Sequence, residues 1–285
     1  MYAHPELEGQ APMAAGTTTL ATVMRDAGYR TAMVGKWGLG GPQSDSTPQD
    51  MGFDYFYGYL CQRMAQCYYP PFLYNGLERE YTANPRMNLG DRLDKGADPY
   101  NAESYKKFTG PTYSPDTVYS KVEQFVCNNA DENFFLMWTT TIPHSALSAP
   151  DEWVAKYVEK FGDEEPVYLG KGYFPTRYPK ATYAAMLSYL DFQIGKLVEL
   201  LKEKGLYDQV EESWIYGVEI SPDFTGIIGE PVLLLCPPKG MDDPQTEWES
   251  RSVTAGEANR RWTEGSFLIK RDGIYYMMYS ANFFG

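Results

Sequence analysis

Histidine is nearly absent from this chain, and positive charge is in deficit. There are two histidines, His4 and His144, and four cysteines, Cys61, Cys67, Cys127 and Cys236. No two cysteines form a Cys-x-x-Cys pair, so no zinc-ligand spacing is present. Lys and Arg number 25 against 38 Asp and Glu, a formal net charge of −13. Without a basic stripe to neutralise phosphates, nucleic acid is excluded as a partner, and attraction to anionic lipid goes with it. No run reaches the roughly 18 apolar residues of a membrane-spanning helix. The start, Met1-Tyr2-Ala3-His4-Pro5-Glu6, has neither a basic segment nor an apolar core, so it does not read as a signal peptide. Cys61 and Cys67 lie close together in an aromatic, loop-like stretch. A disulfide in an oxidising compartment and two free thiols are both open.

What the chain does contain is apolar and aromatic matter. Hydrophobic residues make up 43% and aromatics 15%, with 24 Tyr. That supports a buried core and argues against disorder. Such aromatics fill cores, and they also line carbohydrate sites. The 285 residues are enough for one large or two ordinary domains. The texture changes near Asp208, which suggests an α/β domain over residues 1–208 and a β region over 209–285.

In the first part, helix-like and strand-like stretches alternate, as in an α/β sheet. Thr17-Thr18-Thr19 precedes Leu20, Val23, Met24 and Ala27 at helical spacing, and Gly28 ends the pattern. Residues 29–34 read as a strand, followed by the turn Gly35-Lys36-Trp37-Gly38-Leu39-Gly40-Gly41-Pro42. Residues 43–110 read as loop, of a length that commonly lines a site. Ser114-Pro115-Asp116 opens a second helix as N-cap, first-turn proline and first-turn acid. Residues 134–141 read as a second buried strand, ending at Pro143-His144. Residues 183–205 form the third helix, with Met186, Leu187, Leu190, Ile194, Leu197, Val198 and Leu201 inward. After Trp214 only strand-like runs remain, and Asp272-Gly273 suits a tight hairpin turn.

Ligands of open α/β sheets gather at the C-terminal ends of the strands. Two such ends carry suitable groups, Lys36 and His144. A lysine neutralises an anion, and a histidine can donate to a developing charge, so the pair suits an anionic ester. The bland reading is a solvated lysine and a structural histidine.

The residues themselves carry a resemblance. Thr19-Leu20-Ala21, then Ala27-Gly28-Tyr29-Arg30-Thr31-Ala32-Met33-Val34-Gly35-Lys36-Trp37-Gly38, is followed in order by Gly52-Phe53-Asp54, Phe56-Tyr57-Gly58-Tyr59, Tyr113-Ser114-Pro115-Asp116, Phe134-Phe135-Leu136 and Pro143-His144. The helix containing Ser188-Tyr189-Leu190-Asp191 closes the series. Over about residues 1–208 this resembles the sulfatases of the alkaline-phosphatase-like superfamily. The resemblance implies a partial alkaline-phosphatase-like sheet with flanking helices, hydrolysis of sulfuric esters on sulfated carbohydrate, and contact of Lys36 and His144 with the sulfate. It implies, for intact relatives, a calcium ion held by acidic residues, a formylglycine made from Cys or Ser, and a periplasmic or extracellular location. The sequence departs from that pattern. Gly38 stands where many relatives carry histidine. No Cys-x-Pro-Ser-Arg-like motif occurs, and Gln209-Val210-Glu211-Glu212-Ser213-Trp214 replaces the expected Ser-Asp-Asn-Gly strand end. The nucleophile and calcium ligands are therefore expected to be missing, leaving a chain without turnover that binds an anion.

Residues 214–285 carry a second resemblance. Trp262-Thr263-Glu264-Gly265-Ser266-Phe267-Leu268, with the strand after Asp272-Gly273, is similar to the acid-bearing blade of family 43 glycoside hydrolases, which are five-bladed propellers. It implies one or two propeller blades, a plain carbohydrate ligand, and Glu264 as the general acid of an inverting hydrolysis. The alternative for Glu264 is a surface or capping carboxylate. A third reading of the whole chain is a fusion of two fragments that binds sugar or sulfate weakly.

Overall fold

The computed structural model describes residues 9–170 and 173–206, the short strand at 3–4, and the backbone of four strands between residues 215 and 281. The chain divides into two compact units, Met1–Leu206 and Tyr207–Gly285.

At the start of the first unit, β1 (Ala3–His4) and β2 (Gly9–Gln10) pair antiparallel. The unit is built on a five-stranded sheet. Its strands are β3 (Arg30–Lys36), β4 (Tyr55–Tyr59), β5 (Phe72–Asn75), β6 (Glu78–Tyr81) and β7 (Phe134–Thr139). They stand in the order β6-β5-β4-β3-β7. The centre, β4-β3-β7, is parallel, while β5 and β6 form an antiparallel hairpin on one edge. The α/β expectation is met for this unit. The stretch 43–110 is less irregular than its Tyr, Pro and Gly content suggests, because it contains β4, β5, β6 and two 3-10 segments.

Alternation along β3 explains its burial on both faces. Met33 packs with Ala21 of α1 (Leu20–Asp26), Phe53 and Phe56. Its neighbour Val34 packs on the opposite face with Val118 and Val122 of α2 (Ser114–Asn128). A parallel strand covered on both sides reads as an unbroken apolar run, as β3 does. β7 is different. All six of its residues are half-buried, because it is the sheet edge among the described residues.

Local chemistry sets the helix ends. Thr19 and Thr22 form a reciprocal capping box at α1: each hydroxyl accepts the other's backbone amide, at 3.1 and 2.9 Å. Ser114 is not the N-cap of α2. That position falls to Tyr113, and the Ser114 hydroxyl instead meets the Tyr59 hydroxyl at 2.7 Å in the core. A helix not expected from the sequence, α3 (Asp151–Phe161), packs against α4 (Pro179–Glu203). The inward face of α4 is Ala181, Ala185, Met186, Tyr189 and Gln193. Leu187 and Ile194, expected inside, are 42% and 44% exposed. Small alanines let α4 lie close to its neighbours on that face, which turns Leu187 and Ile194 outward while Leu190 and Leu197 still pack against the core.

In the second unit, β8 (Ile215–Ile220) pairs antiparallel with β9 (Ile227–Leu235), and β10 (Thr263–Arg271) with β11 (Ile274–Ala281). Each ladder has two strands, and a four-stranded propeller blade is not formed among the described residues. Glu264 lies on β10 opposite Ser280, next to a bulge. Its side chain, Cys236 and the Asp272-Gly273 turn lie outside the described residues.

Candidate functional site

The parallel register brings three strand ends together. Gly35 pairs with Gly58 of β4 and with Thr139 of β7, and Lys36 pairs with Tyr59. Two glycines make this possible. A Cβ on Gly35 (φ 129°) would stand 2.1 Å from the Thr139 carbonyl oxygen, and one on Gly58 (φ 141°) would stand 1.9 Å from that of Gly35. No side chain fits there, so the chains close up and Lys36 emerges at the rim. Past Lys36 the backbone stays tied to β4: the Trp37 amide donates to Tyr59 O (2.9 Å) and the Gly38 amide to Leu60 O (3.1 Å). The Trp37 indole N–H donates to Ser46 O at 2.9 Å, fixing the turn.

Lys36 is half-buried and pairs with no carboxylate among the described residues. Its charge is therefore available to a ligand.

His144 follows β7 and is exposed. Its loop is fixed by Tyr68, whose buried hydroxyl is shared between the carbonyls of Thr141 (2.8 Å) and His144 (2.9 Å). The Ile142–Pro143 and Ser145–Ala146 peptide bonds on either side are cis. The imidazole Nδ1 donates to Ser145 O, which leaves the lone pair of the neutral ring on Nε2. The Tyr173 ring lies beside it, at 6.2 Å between centroids. Lys36 thus ends β3, and His144 follows the end of β7, the parallel strand beside it. Glu264 belongs to the other unit.

Sequence reasoning missed Thr139 and Tyr68. Thr139 ends β7 beside Gly35, and its buried hydroxyl has no hydrogen-bond partner. Tyr68 sits in the aromatic stretch read as loop, and only the fold shows that it holds the histidine loop.

The donor set does not fit a hard cation. Calcium takes six to eight oxygens, mostly carboxylate and carbonyl. The strand ends offer an ammonium, an imidazole and a hydroxyl, and no group of three His, Cys, Asp or Glu positioned for a metal occurs among the described residues. A formylglycine precursor does not fit either. Cys61 and Cys67 are buried free thiols, Cys127 is exposed on α2, and none lies in a Cys-x-Pro-Ser-Arg sequence. Burial pushes the Cys67 thiol up to about 11, so it is a core residue.

Comparison with known proteins bears on this geometry. The family model described as Sulfatase matches residues 2–210. The match stops there, so residues 211–285, including Glu264, draw no support from it. An arylsulfatase of Klebsiella aerogenes is 27% identical over 222 residues, covering 66% of this chain and 44% of that protein. Arylsulfatase G of Rattus norvegicus is 56% identical over 41 residues, covering 14% of this chain and 8% of that protein. The chain thus spans less than half the length of these relatives. Among solved structures, a sulfatase from Pseudoalteromonas sp. aligns with TM-score 0.42 and 18% identity, covering 75% of this chain and 43% of that one.

Proposed function

Because the chain belongs to the sulfatase family, we propose that its first unit supplies the sulfate-recognising part of a sulfuric ester hydrolase acting on sulfated carbohydrate. The observation that carries this reading is the placement of a lysine, with no carboxylate partner among the described residues, at the end of one parallel strand and of an exposed histidine after the end of its neighbour. Lys36 neutralises the sulfate. His144, anchored through Nδ1 to Ser145 O, presents Nε2, which donates a hydrogen bond to the sulfate or the leaving oxygen when the ring is protonated. The arylsulfatase names of the relatives support the reaction class. Among the described residues there is no cluster that would hold calcium and no cysteine in a formylglycine motif.

The test is calorimetric titration of the chain with a sulfated monosaccharide and its unsulfated parent, alongside a sulfate-ester turnover assay. Sulfate-dependent binding that Lys36→Ala weakens about tenfold or more supports the reading. Equal binding of the two sugars, or indifference to Lys36→Ala, overturns it.

A further inference from the structure

A second concavity has the opposite chemistry. A cavity of about 570 Å³ lies between the 3-10 segment Ala102–Phe108, α3, and the residues that follow His144. That volume falls within the few hundred to about 1,000 Å³ of small-molecule sites. We propose that it binds a small organic cation built on a flat hydrophobic ring.

The walls select the ring. Phe108 and Phe174, both buried, pack at 5.1 Å between centroids, and Tyr68, Val154 and Val158 continue the apolar lining. Flat rings bury much area at little conformational cost against such surfaces.

The rim selects the charge. Asp151 and Glu159, both on α3, line the cavity and have no ion-pair partner among the described residues. The two cations of the lining are occupied. Lys106 Nζ pairs with Glu103 at 2.8 Å. Arg177 donates to Tyr100 O (2.8 Å) and Glu164 O (2.5 Å), pairs with Asp163, and stacks on Tyr178 at 4.2 Å. An anion entering the cavity meets three carboxylates, Glu103, Asp151 and Glu159, against Lys106 and Arg177, each already engaged with a carboxylate, so a sulfate is disfavoured where an ammonium is welcomed. This site is separate in chemistry from the Lys36 and His144 crevice and does not depend on the sulfatase reading.

The experiment uses three probes that share one bicyclic ring: tryptamine, the neutral tryptophol and anionic indole-3-propionate. Each is titrated calorimetrically into the full chain. Tryptamine is expected to bind at one site about fivefold or more tighter than tryptophol, with indole-3-propionate weaker still, and high salt is expected to shrink the difference. The double variant Asp151→Asn, Glu159→Gln should erase the advantage of tryptamine while leaving tryptophol unchanged. Ala155→Trp, at an exposed α3 position on the lining, should abolish both. Indole-3-propionate binding as tightly as tryptamine, no binding by any probe, or an advantage that survives the double variant overturns the proposal. The wild-type series decides the sign of the charge preference even if a variant fails to fold.

Discussion

The hydroxyl of Tyr68 holds the backbone carbonyl of His144 at 2.9 Å from a position that is itself buried. The same hydroxyl reaches Thr141 O, so one side chain spans the loop that presents the histidine. Tyr68→Phe removes this shared donor and leaves carbonyls short of a partner. A loss of about 1–2 kcal/mol in unfolding free energy is expected. Sulfated-sugar binding should weaken while a His144→Ala background shows no further loss. Chemical denaturation and titration of both backgrounds check the coupling.

The strand ends tolerate no substituent. Gly58→Ala places a Cβ 1.9 Å from Gly35 O, in a backbone conformation that L-residues rarely adopt. Backbone on both sides cannot yield cheaply, so a destabilisation of about 4 kcal/mol or more is expected. Gly28→Ala, with nothing within 4 Å, is the control. It should cost only about 1 kcal/mol, from its positive φ. Comparing the midpoints of urea unfolding separates the two.

The N-terminus of α4 is capped from outside the helix. Glu164 accepts from the amides of Lys180 (2.7 Å) and Ala181 (2.9 Å). Glu164→Ala should cost about 1 kcal/mol, and Glu164→Gln, which keeps one acceptor, should cost less. Thermal unfolding of the two variants gives the order.

Alkaline stability follows from buried tyrosines. Burial pushes Tyr69 up to about 12 and holds Tyr68, Tyr59 and Tyr113 further above the ordinary value of 10.0. These groups bind protons more tightly folded than unfolded. Their contribution is complete below pH 10 and is lost as pH rises through the folded values. Unfolding in alkali should therefore begin above about pH 10 and coincide with a cooperative rise in tyrosinate absorbance. Smooth, independent titration of those tyrosines with the fold intact would contradict this.

Parallel β3 was legible because its apolar run is long and the capped helix before it ends at a glycine. The positions of Lys36 at the end of β3 and of His144 beyond β7 were legible because each follows such a run. α3 carries a helical apolar period, Trp153, Val154, Tyr157, Val158 and Phe161, and was overlooked because it is short and none of its residues is fully buried. β5 and β6 were lost in a stretch whose Tyr, Pro and Gly mimic loop. On α4, Met186, Leu190 and Leu197 face the core as expected, whereas Leu187 and Ile194 were misplaced because packing distance favours the alanines on the closest face.

By itself, the sequence determined the alternation of elements in the first unit, the caps of α1 and the family, all of which depend on residues near in the chain. Tertiary structure decided the rest. Register across β3, β4 and β7 set which strand ends meet, and the Gly35–Gly58 contact set how closely. Long-range hydrogen bonds put Tyr68 under the histidine loop. Cys61 and Cys67, open to either state in sequence, are free buried thiols in the fold. These are relations between residues far apart in the chain, and only packing in three dimensions fixes them.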